Sequence, residues 1–507
     1  MRKIYLNEFN IPLENTVYLP LVSGILSAYA KTFPRIKEEY TFMEVLYKRD
    51  HPDNIMRAYD DPFVAAFSVS LWNYSLSMEI IRRVKEKFQR CIIIMGGPNA
   101  PFSEKPLGVD YVINGEGEKK FVNILLELIG EPLIDIKQEQ NLDIFPSPYA
   151  SGEYDNLVNR GNFQAIVETN RGCPFLCVFC FWGMAGLNKR FRFHSLDFVK
   201  AEAEWCGKNK IKYVFCADSN FGMFTRDIEI AQIWVDVKKK YGYPEKFRVC
   251  YGKNAQESIY KTAKILSDAG LSKAITLAKQ SNDEITLDNI RRTNISKEVY
   301  DNLQEKYLDA GIPTYVEIIL GLPGETLESF MAGVKTSLKP RSRLFIYHCQ
   351  ILPNTEMANP EYIKKHGIKT VRIPLTAIHC KINEPGEIIE YENIVIATNT
   401  MNVLEWIEAA VYSWRIQLEH VFEVTEIPTE EIEKFYDIAY GILEGKSRGQ
   451  IDQRFGNIYW EPEELAYLRI SLEHGDIDGD LKQFAKERVL WGRKSRKVSS
   501  PKINNRI

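Results

Sequence analysis

The sequence predicts an α/β protein in three successive parts: an N-terminal doubly wound parallel sheet, a partial (β/α)6 barrel and a mostly helical C-terminal region. The chain has 507 residues, more than one hydrophobic core usually organises. Short apolar runs alternate with stretches of helical spacing both before and after a proline-containing segment at 135–154, which resembles a linker. Beyond about residue 384 the apolar spacing becomes mainly helical.

The first alternating series predicts the N-terminal sheet, in a domain over residues 1–140. Short apolar runs predict the strands and helical spacing predicts the helices between them. The predicted strands are 3–6, 40–47, 63–70, 91–95 and 111–114, and the predicted helices are 77–88 and 119–129. A sheet of this type binds its ligand beyond the carboxyl ends of its strands, where the loops converge.

The second series predicts the partial barrel, over residues 141–385, and the helical region follows over 386–507. The predicted barrel strands are 163–168, 213–216, 248–251, 274–278, 315–320 and 344–348, with helices at 195–208, 226–241 and 297–310 between them. Helices are also predicted at 397–424 and 429–443. The basic stretch from Arg488 to Arg506 lacks periodicity, so we interpret it as a solvated tail, with docking of an acidic partner as the alternative.

Composition and charge exclude several classes of protein. Hydrophobic residues make up 45% and charged residues 26%, which is near the average for globular proteins. A net charge of -3 offers no global field for nucleic acid or an anionic membrane, so we expect no nucleic-acid partner. No apolar run is long enough to span a bilayer and the N-terminus lacks a signal-peptide core, so we expect a cytoplasmic protein without a membrane span. Nine cysteines, an odd number, favour metal chemistry over a disulfide framework.

Three cysteines form the most informative motif. Cys173, Cys177 and Cys180 follow a predicted barrel strand, in the loop where barrel enzymes place their chemistry. Three thiolates can bind three corners of a [4Fe–4S] cluster, which leaves the fourth iron open to bind S-adenosylmethionine (SAM) and pass an electron to its sulfonium. The alternatives are a zinc site with His194 as fourth ligand, or three unrelated buried cysteines, although zinc sites usually come as paired cysteine knuckles.

This Cys-x3-Cys-x2-Cys loop, with Phe179 directly before the last cysteine, resembles the radical SAM superfamily. Segments downstream extend the resemblance, including Pro353-Asn354-Thr355 after the sixth strand. The resemblance implies that Asp218, Ser219 and Asn220 contact the methionine amino group. It implies that Gln280, Ser281 and Arg292 reach the ribose and the methionine carboxylate, and that Glu317 and Gly321 lie against the adenine. Ordinary turn glycines and helix caps are the alternative interpretation for several of them.

Three loops at the predicted carboxyl edge of the first sheet resemble the cobalamin-binding domain of the cobalamin-dependent branch of this superfamily. The residues concerned are Ser70, Trp72, Gly96, Gly97, Pro98, Gly115, Glu116 and Gly117. Glycines let a backbone approach a ligand, but strand ends also need turns. Residues 8–13 lack the histidine of Asp-x-His-x-x-Gly, so we expect no histidine from that motif on the cobalt. Trp72 would then cover the lower face of the cobalamin; the alternatives are a core aromatic or a rim contact, and some relatives keep the fold without the cofactor.

The resemblance implies an enzyme that uses a [4Fe–4S] cluster, SAM and cobalamin, with no catalytic side chain assigned. SAM would be cleaved reductively to a 5′-deoxyadenosyl radical, and an unactivated carbon of a small-molecule or peptide substrate would be methylated. A flavodoxin or ferredoxin would supply electrons. The alternatives are a radical cyclase or ring-rearranging enzyme, and a non-catalytic sensor that binds the same cofactors.

Some residues in the C-terminal half have both a functional and a structural interpretation. Trp406 and Trp414 share a predicted helix face that would form a substrate wall, although an aromatic stripe is more often core. Cys349 and Cys380 each follow a histidine, and Cys349 would serve as a hydrogen-atom donor or extra ligand if it faced the barrel interior. Buried, inert thiols are the favoured interpretation.

Overall fold

The structure is a computed structural model that describes residues 1–446 except 13–14, 185–188, 253–255, 273, 339–341, 380–385, 423–426 and 428. The expectations for Cys380 and for the basic tail lie outside the described residues. Within them, no helix is long and apolar enough to cross a membrane.

The N-terminal sheet is parallel and has helices on both faces. Its strands and one short strand outside it are β1 (Arg2–Asn10), β2 (Val17–Tyr18), β3 (Tyr40–Phe42), β4 (Leu46–Lys48), β5 (Pro62–Ser68), β6 (Ile92–Gly96) and β7 (Tyr111–Ile113). Its helices are α1 (Leu21–Ala30), α2 (Pro34–Glu39), α3 (Pro52–Arg57), α4 (Tyr74–Lys87) and α5 (Glu118–Glu127). The strand order is β3-β1-β5-β6-β7, with β4 also pairing β1, so the predicted strand at 40–47 is in fact two.

Both faces of this sheet are buried, which explains why its strands are apolar without clear alternation. Ile4, Val64 and Ile94 pack on one face, in a cluster that also contains residues of α1 and α5. Tyr5 and Phe67 pack on the other face, with residues of α3 and α4. The doubly wound arrangement predicted from the sequence is thus confirmed.

The barrel half consists of two parallel sheets with helices outside them. The strands of this half are β8 (Phe163–Val167), β9 (Asn170–Arg171), β10 (Arg192–Phe193), β11 (Tyr213–Phe221), β12 (Lys246–Tyr251), β13 (Ile275–Thr276), β14 (Thr314–Leu320) and β15 (Ser342–His348). The helices are α6 (Phe181–Met184), α7 (Leu196–Lys208), α8 (Thr225–Tyr241), α9 (Gln256–Asp268), α10 (Glu284–Asn289), α11 (Lys297–Asp309) and α12 (Leu327–Ser337). One sheet has the order β12-β11-β8-β2 and the other β13-β14-β15, and all six predicted barrel strands are present.

Two features join the halves in ways the sequence did not reveal. Strand β2 leaves the N-terminal half and pairs in parallel with β8 of the barrel, Val17 opposite Phe163. The predicted linker at 135–154 contains only a short 3-10 helix (Leu142–Ile144), but Tyr149 and Tyr154 within it are buried in the barrel core. The segment expected to be a linker is therefore packed structure.

The chain after β15 contains strands as well as helices, and its elements begin before the predicted boundary at residue 386. Its elements are α13 (Pro360–His366), β16 (Lys369–Pro374), α14 (Thr376–His379), β17 (Tyr391–Ala397), α15 (Val403–Phe422) and α16 (Thr429–Leu443). The prediction of a helix from residue 397 was wrong at its start, because the chain up to Ala397 forms β17, antiparallel to β16. Trp406 and Trp414 are buried in the core around β14 and β15, which confirms their structural interpretation.

Candidate functional site

The carboxyl edges of the two halves face each other. Asn354, in the loop after β15, donates from Nδ2 to the carbonyl oxygens of Pro98 at 2.7 Å and Ala100 at 2.8 Å, in the loop after β6. Arg192 donates to Glu116, in the loop after β7, at 3.1 Å. Ligand-binding loops of both parallel sheets thus meet at one place, since such loops lie at the carboxyl ends of the strands.

The cysteine loop begins at the end of a short antiparallel pairing and lies between two other barrel loops. Strand β9 pairs with β10, and Gly172 follows with a φ of +122° that favours glycine. Cys173 and Cys177 are buried and Cys180 is partly exposed. The backbone of Val178 bonds to Ile290 at 3.2 Å and Met357 at 3.0 Å, and Phe179 packs against the apolar cluster that contains Val178.

Residues at the end of β11 support this loop from beneath. The carboxylate of Asp218 accepts from the backbone N–H of Thr169 at 2.7 Å and from Nδ2 of Asn170 at 2.7 Å. Burial raises the pKa of Asp218 to about 7, although these bonds oppose the shift. Ser219 donates to the carbonyl of Gly172 at 2.7 Å, and Asn220 lies 3.3 Å from Sγ of Cys173. Asp218, predicted to contact a methionine amino group, is thus directed at the segment that leads into the loop.

Arg292 lies beside the cysteine loop in the second half of the barrel. Its Nε donates to the carbonyl of Lys279 at 3.2 Å and to Oδ1 of Asn294 at 3.1 Å. Burial lowers the pKa of Arg292 to about 10, while the nearby thiols of Cys177 and Cys180 and the carboxylate of Glu317 oppose that shift. Arg292 and Glu317 therefore share one environment with two of the cysteines.

Gln280 and Ser281 point in different directions. Gln280 has a φ of +66°, bridges to Ile318 of β14, and keeps a buried Oε1 that has no partner within the part of the chain that the structure describes. Because buried polar atoms are normally hydrogen-bonded, this atom fits a donor from a bound ligand. Ser281 instead donates to Glu325 at 2.7 Å and is fully buried.

Gly321 has a φ of +95°, and a Cβ there would lie 3.2 Å from the carbonyl of Val395, which supports a turn role.

The loops after β5 and β6 place backbone and one aromatic side chain at the edge of the N-terminal sheet. Gly97 has a φ of +104°, and a Cβ there would lie 2.5 Å from the carbonyl of Val69, so only glycine fits. It lies between Gly96, the last residue of β6, and Pro98. The backbone of Ser70 bonds to Asn73 at 2.7 Å. Trp72 is 38% exposed at the strand end, so it is not a core aromatic.

The loop after β7 carries a charged anchor. Gly115 has a φ of +75°, and Gly117 directly precedes α5. Burial alone would raise the pKa of Glu116, but hydrogen bonds from Arg192 and Gln138 and the charge of Arg171 lower it below its ordinary value. Glu116, predicted to bind a cofactor, is thus engaged with arginines of the barrel half.

A buried arginine directly before the cysteine loop was missed by the sequence interpretation. Arg171, two residues before Cys173, lies 2.7 Å from Glu118, 2.9 Å from Glu168 and 3.7 Å from Glu116. Glu116 and Glu118 belong to the N-terminal half. The sequence showed only charged residues next to two motifs of the ligand-binding type. It could not show that these residues meet, because their proximity depends on how the halves pack.

The described residues do not form the site of a single metal ion. Across those residues, no three side chains of His, Cys, Asp or Glu converge as one ion requires. His194, the alternative zinc ligand, is 3.0 Å from Asp143 through Nδ1 and stacks on Phe198. Burial lowers the pKa of His194 to about 4. Three thiols on one loop fit an iron–sulfur cube, whose thiolates bind separate corners.

Comparisons with known proteins agree with this geometry. The model of the Radical SAM superfamily matches residues 167–335. The 2-(S-pantetheinyl)-carbapenam-3-carboxylate methyltransferase of Streptantibioticus cattleyicolor is 30% identical in an alignment that covers 96% of this chain and 77% of that protein. The cobalamin-dependent radical SAM methyltransferase TokK of Streptomyces tokunonensis is 32% identical, covering 83% of this chain and 65% of TokK.

Solved structures show the same fold. The radical SAM methyltransferase TsrM of Kitasatospora setae, solved with tryptophan substrate and a SAM analogue, superposes with a TM-score of 0.60 at 16% identity, over 99% of this chain and 100% of that one. A second TsrM structure, with cobalamin and a [4Fe–4S] cluster bound, gives 0.59 at 16% identity over 93% of this chain and 99% of that one.

The fold, the cysteine loop and the facing sheet edges together define a radical SAM enzyme. Its N-terminal parallel sheet is of a type that binds cofactors. The chain belongs to the family of cobalamin-dependent radical SAM methyltransferases. Its cofactors are accordingly a [4Fe–4S] cluster, SAM and cobalamin, and its reaction is radical SAM methylation of carbon.

Proposed function

We propose that Cys173, Cys177 and Cys180 hold the cluster, that SAM binds at the adjoining barrel edge, and that cobalamin binds at the edge of the N-terminal sheet. The observation that carries this proposal is the meeting of the two carboxyl edges through Asn354 and the loop after β6. A substrate between those edges would contact both organic cofactors. The proposed domains are residues 1–140, 141–385 and 386–507.

The residues around the cysteines have two kinds of role in this proposal. Gln280, Arg292 and Glu317 would face SAM, since Gln280 has a buried oxygen without a partner among the described residues and the other two share the environment of the cysteines. Asp218 and Asn220 are positioning residues, because Asp218 accepts from Thr169 and Asn170, directly before the cysteine loop, and Asn220 lies beside Cys173.

The loops of the N-terminal sheet would hold cobalamin. Gly97 lets the backbone approach it, and Trp72 presents an exposed ring that would cover its lower face and exclude water. The bound cofactors supply a carbon-centred radical and a transferable methyl group. The residues of the chain bind and orient these cofactors and keep water away from them.

We infer a small-molecule or peptide substrate with an unactivated carbon. Two similar proteins support this class, because one is named for a carbapenam carboxylate and the other was solved with tryptophan. A flavodoxin or ferredoxin would supply electrons, and we propose that the enzyme acts in the cytoplasm.

Product analysis with labelled SAM tests the function. Reduced, anaerobically reconstituted enzyme is incubated with SAM labelled in its methyl group and with a cell extract. We expect a labelled methylated product together with 5′-deoxyadenosine and S-adenosylhomocysteine. Deoxyadenosine without S-adenosylhomocysteine would indicate a cyclase or ring-rearranging enzyme, and no SAM cleavage under strong reduction would indicate a sensor.

Substitution of the cluster cysteines tests the assignment of ligands. Cys173→Ala, Cys177→Ala or Cys180→Ala should each abolish deoxyadenosine formation, because the cluster loses one of its three protein ligands. The control is Cys206→Ala, which removes a thiol buried in α7 and should retain iron and sulfide at about four each per chain. Deoxyadenosine formation at the parent rate in any of the three would contradict the assignment.

A further inference from the structure

A buried ion pair connects the C-terminal region to the loop that carries Trp72. Nη1 of Arg49, in the loop after β4, donates to the carboxylate of Glu390 at 2.8 Å and to the carbonyl of Trp72 at 3.0 Å. Its Nη2 also donates to the carbonyl of Ile388. The side chains of Arg49 and Glu390 are only 9% and 1% exposed. Both ends of this pair are thus removed from solvent, and one of its bonds ends on Trp72 itself.

Glu390 also caps the helix that follows Trp72. Its carboxylate accepts from the backbone N–H of Ser75 at 2.7 Å and of Leu76 at 2.9 Å, both in the first turn of α4. Asn73, at the N-cap position, does not cap the helix because its Oδ1 accepts from Ser70. A carboxylate is favourable at this position because the first N–H groups of a helix lack partners. The cap comes from a residue more than three hundred positions away.

The backbone of Glu390 is itself held by two hydrogen bonds. Its N–H donates to Nε2 of His379 at 2.9 Å, and its carbonyl accepts from Leu375 at 2.8 Å, directly after β16. The backbone that carries this carboxylate is therefore fixed where the side chain reaches the Trp72 loop. The carbonyl of Trp72 is held by Arg49, and the helix that follows is held by Glu390, while the Trp72 side chain stays 38% exposed.

We propose that Arg49 and Glu390 are positioning residues that hold Trp72 against the lower face of bound cobalamin. This inference rests on the proposed place of cobalamin at the edge of the N-terminal sheet. Because Trp72 is partly exposed, the position of its ring depends in part on the backbone that carries it. Without the ion pair, the loop and the first turn of α4 lose their shared anchor, and water gains access to the cobalt.

The test uses the full-length protein loaded with cobalamin and reduced to the cobalt(II) state, without turnover. Electron paramagnetic resonance then distinguishes cobalt with an axial water from cobalt without one. We expect the parent protein to show the water-free signal. Glu390→Gln and Trp72→Ala should both show the water-bound signal. The matched control is Arg83→Gln. Arg83 lies on α4, the helix that Glu390 caps, but away from the loop. Its substitution removes an ion pair with Asp53 of α3 and should keep the parent spectrum.

The outcomes separate this inference from the proposed function. If the parent protein retains no cobalamin, the assignment of the N-terminal sheet fails, and the inference with it. If Trp72→Ala changes the spectrum but Glu390→Gln does not, the inference alone is overturned. If Glu390→Gln does not fold, Arg49→Lys keeps a charge beside Glu390 while shortening the reach to Trp72. The same change to the water-bound signal is expected there, and an unchanged spectrum would overturn the inference.

Discussion

Two of the buried arginines that connect the N-terminal half to the rest of the chain lie beside the cysteine loop and beside the Trp72 loop, and they are neutralised differently. Arg171, directly before the cysteine loop, lies within 4 Å of three carboxylates, two of which come from the N-terminal half, and one of these, Glu116, also pairs with Arg192. Arg49, beside the Trp72 loop, has one carboxylate partner, Glu390, and otherwise donates to backbone carbonyls. The first junction has more acid than base around its arginine, whereas the second is balanced.

This difference has a physical consequence for the two loops. Removing Arg171 would leave the buried carboxylates of Glu118 and Glu168 without this cation, although Glu116 keeps Arg192, and an uncompensated charge is costly in a medium of low polarity. Removing Arg49 would leave only Glu390, and that carboxylate keeps two backbone N–H donors in the first turn of α4. The cluster loop thus depends on charge, and the Trp72 loop depends more on hydrogen-bond direction.

The largest expected effect comes from Arg171→Met. We expect a loss of about 3–5 kcal/mol in the free energy of unfolding, measured by urea denaturation, because buried carboxylates become uncompensated. Arg49→Met should cost less. The control Arg160→Met removes an exposed pair with Glu44 and should cost less than about 1 kcal/mol. Equal losses for Arg171→Met and Arg49→Met would remove the distinction between the junctions.

A second prediction concerns the pH dependence of stability and the buried carboxylates close to the Arg171 junction. Burial raises the pKa of Glu202 to about 8, and Glu168 and Asp218 add to the shift. The folded state therefore favours the protonated form, so the stability it contributes is present below the unfolded pKa, near 4.3, and is lost as pH rises towards 8. Compared with Glu202→Gln, the parent protein should lose up to about 1.4 kcal/mol per pH unit between pH 5.5 and 7.5.

Chemical unfolding of both proteins across this pH range measures the difference. Ser147 donates to Glu202 at 2.7 Å, and glutamine retains an acceptor for that bond, so the variant is conservative. Parallel stability curves for the two proteins would show that Glu202 ionises as it does in water.

The smallest expected effect is at the uncharged contact between the sheet edges. Asn354→Gly removes the donor to Pro98 and Ala100 while tolerating the φ of +61° at this position. We expect a loss of about 1–2 kcal/mol in unfolding free energy, since two neutral hydrogen bonds are removed. A loss as large as that of Arg171→Met would show that this contact, and not the charged junction, joins the halves.

Local patterns predicted most of the fold. The parallel strands of both halves were visible because each has a run of apolar residues between helical stretches, and the barrel loop was visible because cysteine spacing is a local property. Strand β2 was missed because two residues carry no periodic signal, and its partner β8 is far along the chain. Strand β17 was missed because its residues precede a long helix, and because its partner β16 lies earlier in the chain, before α14.

The candidate site was predictable to a smaller extent. Cys173, Gly97 and Trp72 lie where the motifs predicted, at the carboxyl edges of the two sheets. The direction of a side chain was not predictable, and Asp218, Ser281 and Glu116 turn towards protein groups. The pairs of Arg171 and Arg49 depend on how the two halves pack, a property that neither segment contains alone.

The most direct test of the central claim is the electron paramagnetic resonance spectrum of the reduced cluster with and without SAM. Three cysteine ligands leave one iron open, so adding SAM should shift the signal of the parent protein. A signal unchanged by SAM, accompanied by evidence for a fourth protein ligand on the cluster, would contradict this account.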